Sequence, residues 1–256
     1  MAIAGFFCLY ALLHIGYGLP LHLIGDEESL IGGALKMIQL RSLPVFHLVE
    51  FKPLYYSILL PVLYDIFFTI YALYIYIFVT HVDTLAGLQQ YLLVHLDVLW
   101  FLARIPSVFA GGALIVVTGM LARRLVPERT AAGMLASLFM ATSFFSFQLS
   151  IVSRHWIFNT LFLMLALYVL YRHDRIEKRD AFMASVYAGL GVGIGILGFV
   201  AIALVYFVMF MRDGTPIVAF IRSRISLIFI CIATALAILF VAAHPGAFLF
   251  IAAGEA

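Results

Sequence analysis

The chain has 256 residues, of which 65% are hydrophobic and 11% charged, with 15 Lys and Arg against 13 Asp and Glu and a mean hydropathy of +1.14. A soluble domain is about half apolar and a quarter charged, so this composition excludes one and points to an integral membrane protein. A net charge of +2 gives no basis for a nucleic-acid partner, and the apolar runs lack the period-two alternation of a transmembrane barrel.

One helical crossing takes about 20 apolar residues, and the chain supplies about seven or eight such runs. The expected fold is all-α: a polytopic transmembrane helix bundle in one membrane domain over residues 1–256, with an amphipathic interfacial helix in a first outer loop at residues 25–53. The expected location is a membrane crossed many times, the plasma membrane of a prokaryote or the endoplasmic reticulum of a eukaryote. Cys8 and Cys231 both fall within apolar runs and suggest no disulfide framework.

In chain order, residues 2–23 read as a retained first crossing, since no basic leader or cleavage site precedes a soluble domain. Asp26, Glu27 and Glu28 follow. From residue 27 to 40, Leu30, Ile31, Ala34, Leu35 and Ile38 recur at helical spacing among polar residues, the pattern of an amphipathic helix too short to span. Asp26 is expected at its N-cap, with Glu27 and Glu28 as solvated residues complementing the helix dipole. The loop closes through His47, Glu50, Lys52 and Pro53. Glu50 and His47 together offer a carboxylate and an imidazole, a candidate pair for a divalent metal ion.

Residues 54–79 form an aromatic-rich crossing, and residues 85–103 a polar-faced helix carrying Gln89, Gln90, His95 and Asp97. His95 and Asp97, if inside the bilayer, must pair or face a cavity. After Arg104-Ile105-Pro106 a crossing runs to residue 121, with Gly111, Gly112 and Gly119 for close helix contact. The loop with Arg123, Arg124 and Arg129 and the stretch from Arg172 to Arg179 are the most basic segments, and the positive-inside rule assigns both to the cytoplasm. Two crossings between them then leave Ser153 and Arg154 outside. The Gly-rich run at residues 181–211 reads as a helical hairpin, and residues 225–242 as a last crossing. Counted back from the basic loops, Asp26 and Lys52 share the outer face with Arg154, provided that residues 85–103 cross back.

The ordered set resembles a known family. A first membrane helix is followed by Asp26-Glu27, by Phe51-Lys52-Pro53-Leu54-Tyr55-Tyr56, by Arg104-Ile105-Pro106-Ser107 before a Gly-containing helix, by Ser153-Arg154, and by a Gly-rich helix. This is similar to the N-terminal half of the GT-C membrane glycosyltransferases, in particular the protein O-mannosyltransferase and aminoarabinose transferase group. The resemblance implies transfer of a sugar from a polyprenyl-phosphate carrier to an acceptor hydroxyl on a protein, lipid or glycan at the outer face. It implies Asp26 as the general base, with Glu27 as second candidate, and Lys52 and Arg154 as the cations that meet the lipid phosphate. A departing phosphate needs cations for its developing charge, and an attacking hydroxyl needs a base within reach. Members of the group have further crossings, which leaves a fragment, a half-sized homologue and a subunit with a partner as open readings. The alternative is a non-enzymatic membrane protein, a transporter or an assembly subunit, whose acidic loop binds a cation or partner.

Overall fold

The computed structural model describes residues 1–19, 25–42, 58–79, 84–129 and 131–243. Among the described residues every regular element is helical. The order is α1 (Ala2–His14), α2 (Gly25–Leu40), α3 (Leu59–Phe78), α4 (Leu85–Val94), α5 (Leu96–Leu125) and α6 (Ala132–Thr142), then α7 (Phe144–Ser150), α8 (His155–Leu170), α9 (Lys178–Ile194), α10 (Leu197–Asp213), α11 (Ile217–Ile221) and α12 (Arg224–Ala243).

Three of these, α3, α5 and α12, are long and apolar enough to cross a membrane. A fourth span exists if α6 and α7, bent by 64° relative to each other, count as one. The expected seven or eight crossings are therefore not supported. Apolar composition counts residues, whereas helix length is set by breaks. Ser143 turns extended and accepts from the Ser146 amide as the N-cap of α7, cutting one expected run in two. The first crossing is a helix of 13 residues, about 20 Å long against a hydrocarbon core of about 30 Å.

Between residues 85 and 121 the division differs from the expected one. The break falls at His95, and α5 then continues for 30 residues through Pro106. Proline lacks the donor that the Leu102 carbonyl would otherwise receive, yet the helix persists, because Leu99, Ala103, Val108 and Leu114 on either side are buried in the core. Arg104 thus lies inside a long helix rather than in a loop before one.

The helices pack through small residues, as the glycine pattern predicted for α5. A Cβ at Gly111 would overlap Ser150 of α7, one at Gly112 would overlap Cys8 of α1, and one at Gly119 would overlap Ser137 of α6. Backbones therefore approach closely where van der Waals contact is the main attraction between helices. The Gly-rich run divides at Gly195 into α9 and α10, and Leu236 and Phe240 of α12 lie over Gly189 and Gly193. Arg212, at the end of α10, donates to the His173 carbonyl ahead of α9 and stacks 4.7 Å from the Tyr171 ring centroid. The chain thus folds back on itself as a helical hairpin, but neither α9 nor α10 is among the helices long and apolar enough to cross a membrane, so the expected pair of crossings is not supported.

Among the described residues, three large buried clusters and a small fourth around Met37 and Ile58 make up the core. One joins α2, α3, α5 and α8 through Leu30, Ile31, Tyr64, Phe68, Leu99 and Ile157. A second joins α8, α9, α10 and α12, and a third joins α1, α5 and the α7–α8 connection. The apolar stripe of α2 is spent on protein: Leu30, Ile31 and Ala34 are fully buried. Large apolar side chains such as Phe6, Leu13, Ile70, Phe78, Phe139 and Leu239 point outward, as lipid-facing positions would.

The two ends of the bundle differ. Arg123, Arg124 and Arg129 line a cavity together with Tyr168, near the end of α8, so both basic loops share one end. The α7–α8 connection with Ser153 and Arg154 lies at the other end, and there Glu27 of α2 meets it.

Candidate functional site

The polar centre of that second end is Arg104, which is fully buried. Its Nε donates to Glu27 Oε1 at 2.8 Å and its Nη2 to Glu27 Oε2 at 2.6 Å, a bidentate pair. Its Nη1 donates to the carbonyls of Ile15 and Tyr17, each at 2.7 Å. Those carbonyls follow the end of α1, where a helix leaves acceptors without intrahelical partners. A guanidinium presents donors in a rigid fork that fits a carboxylate on one side while serving neighbours on the other.

Glu27, also fully buried, accepts in addition from the backbone amide of Ser153. The Ser153 hydroxyl donates to the Tyr64 hydroxyl at 2.7 Å, and Tyr64 is itself fully buried. One connected set of hydrogen bonds thus ties the end of α1, the start of α2, the first turns of α3, the third turn of α5 and the α7–α8 connection. A charge at this depth is tolerated only when it is paired and its remaining hydrogen-bonding capacity is met.

Asp26 lies in the first turn of α2, which starts at Gly25, two residues earlier than an Asp26 N-cap requires. Its side chain lies outside the described residues. Glu27 is not the solvated residue expected, since both of its oxygens are occupied by protein donors. Glu28 is exposed. Arg154 is half-buried and extended (φ −126°, ψ 148°) as the N-cap of α8. His47, Glu50 and Lys52 lie outside the described residues, so the structure bears neither on the metal pair nor on the lysine.

The bond from Ser153 to Glu27 brings together the segments that carry two of the candidates, because Asp26 precedes Glu27 and Arg154 follows Ser153. Beside it, Asp97, Gly16, Leu19, Val98 and Phe101 line a cavity of about 390 Å³. Asp97 therefore faces a cavity, while His95 Nδ1 lies 2.9 Å from the Tyr91 carbonyl. One turn into α8, the Asn159 amide is buried among His155 and Gly195 with no hydrogen-bond partner among the described residues.

Arg104, Ser153 and Tyr64 are site residues that local sequence pattern does not mark. Arg104 carried the available signal, an arginine inside what proves to be a 30-residue apolar helix. It was obscured because Pro106 looked like a helix start. One further cluster, at the basic end, has metal-ligand character: His173, Glu177 and Asp180 each bring a ligand atom within 4.8 Å of the others. A capping box accounts for it. Asp180 Oδ2 accepts from the Glu177 amide at 3.1 Å and sits 3.1 Å from His173 Nδ1.

The fold defines the class as an all-helical protein, among the described residues, with three or four helices long and apolar enough to cross a membrane. Comparison with protein-family models, with curated proteins and with solved structures finds no match for the chain.

Proposed function

We propose that the chain is a multi-pass membrane glycosyltransferase of GT-C type, moving a sugar from a polyprenyl-phosphate carrier to an acceptor hydroxyl at the outer face. The observation that carries this reading is the bond from the Ser153 amide to the Glu27 side chain, which ties the start of α2, where Asp26 lies, to the α7–α8 connection that carries Arg154, at the end opposite the basic loops. A base and a phosphate-binding cation are the two groups the reaction needs in one place.

In this reading Asp26 takes the proton of the acceptor hydroxyl as its oxygen bonds to the anomeric carbon. The bond from that carbon to the phosphate breaks, and polyprenyl phosphate leaves with its charge against Arg154 and Lys52. Glu27 and Arg104 take no part in the transfer. They position the loop by joining α2 to α5 and to the α7–α8 connection. The cavity lined by Asp97 and Gly16 offers space for an acceptor.

The test is Asp26→Asn in the purified full chain, with polyprenyl-phosphate mannose and polyprenyl-phosphate aminoarabinose as donors. Release of polyprenyl phosphate should fall about 10²- to 10⁴-fold, the usual worth of a general base, while thermal unfolding stays unchanged. Full turnover in a folded Asp26→Asn protein removes Asp26 as the base. No turnover in the parent chain with either donor favours the non-enzymatic alternative.

A further inference from the structure

At the basic end two cavities adjoin. The first, about 440 Å³, is lined by Arg123, Arg124, Arg129, Pro127 and Tyr168. The second, about 330 Å³, runs between α1, α5 and α6 and is lined mainly by Ile3, Ala4, Ile115, Val116 and Met134. Met120 and Arg123 line both. One compartment is therefore cationic, the next is lined mostly by apolar side chains with Ser137 among them, and an arginine stands where they meet.

No carboxylate pairs with Arg123, Arg124 or Arg129 among the described residues. Glu128 is the only acidic residue in the sequence between Asp97 and Asp174, and it is exposed and lines neither cavity. The stem of the exposed Arg123 also runs close against Gly133, where a Cβ would overlap its Cγ. The positive-inside rule accounts for basic residues in this loop, but it requires no cavity and no positioned side chain.

We propose that this pair of cavities is a binding site for an anionic glycerophospholipid of the cytoplasmic leaflet. The phosphate sits among Arg123, Arg124 and Arg129, and an acyl chain lies in the groove between α1, α5 and α6. Three guanidinium groups match phosphate geometry, and basic pockets between membrane helices on the cytoplasmic side suit anionic head groups. A zwitterionic lipid fits the groove equally well but gains less from the arginines.

The experiment uses the full chain in detergent and follows its thermal unfolding midpoint with added dioctanoyl phosphatidylglycerol, dioctanoyl phosphatidylcholine or inorganic phosphate. Phosphatidylglycerol should raise the midpoint saturably, and the other two should not. Replacing two arginines (R123Q with R129Q) should weaken the apparent affinity about thirtyfold. The pair R175Q with R179Q removes two exposed charges from the same end without touching the cavity, and should change it less than about twofold. Val116→Trp, which fills the groove and leaves every charge in place, should also weaken binding. An equal shift with phosphatidylcholine or with inorganic phosphate overturns the proposal, as does an equal loss in R175Q with R179Q. If the Arg123 and Arg129 variant does not fold, unchanged affinity in Val116→Trp overturns it.

Discussion

Arg104 reaches Glu27 across 77 residues of sequence and grips both of its oxygens, with the remaining Nη1 donors on the carbonyls of Ile15 and Tyr17. Neither side chain is open to solvent. The consequence is an asymmetry between removing one partner and removing both. Arg104→Met strands a buried carboxylate and two carbonyls, and should cost about 3–5 kcal/mol. The double variant with Glu27→Gln should be less destabilised than the sum of the two singles. Denaturant titration of the purified chain with a double-mutant cycle measures this, and additive losses would show that the pair is not coupled.

Tyr64 offers a milder probe of the same network. Tyr64→Phe keeps the ring against Phe68 but leaves the Ser153 hydroxyl without its acceptor, so about 1 kcal/mol should be lost. If the network also positions Arg154, this variant should raise the KM for the polyprenyl-phosphate donor more than Val116→Trp at the opposite end does.

Close packing between α5 and α6 makes a separate prediction. Gly119→Ala puts a methyl group into Ser137 Oγ and near the Gly133 carbonyl, and overpacking of this kind costs about 1–3 kcal/mol. Adding Ser137→Gly removes the nearer obstacle and should recover part of the loss. Equal stability of the single and double variants would place the strain at the Gly133 carbonyl alone.

At the other end, Asp180→Ala removes the acceptor for the Glu177 amide and the neighbour of His173. Loss of a capping box should cost about 1 kcal/mol and fray the start of α9. Hydrogen exchange at the first amides of α9 reads the fraying directly. Unchanged protection there would mean that Asp180 contributes nothing to the cap.

Composition and local pattern carried much of the fold. The apolar share gave an all-helical fold with helices long and apolar enough to cross a membrane, the arginine clusters gave a shared basic end, and Gly111, Gly112 and Gly119 gave the points of close contact, because each of these is a property of neighbouring residues. The stripe of Leu30, Ile31 and Ala34 showed in the same way that α2 has a face to bury. The number and extent of the spans did not follow, since a break at Ser143 or His95 and the continuation through Pro106 depend on what packs around them. Above all, Glu27 and Arg104 looked like a solvated helix-start residue and a loop residue. Their roles were decided by folding, because a charge is stabilised at depth only by a partner in space, and no local sum over the sequence contains a partner 77 residues away.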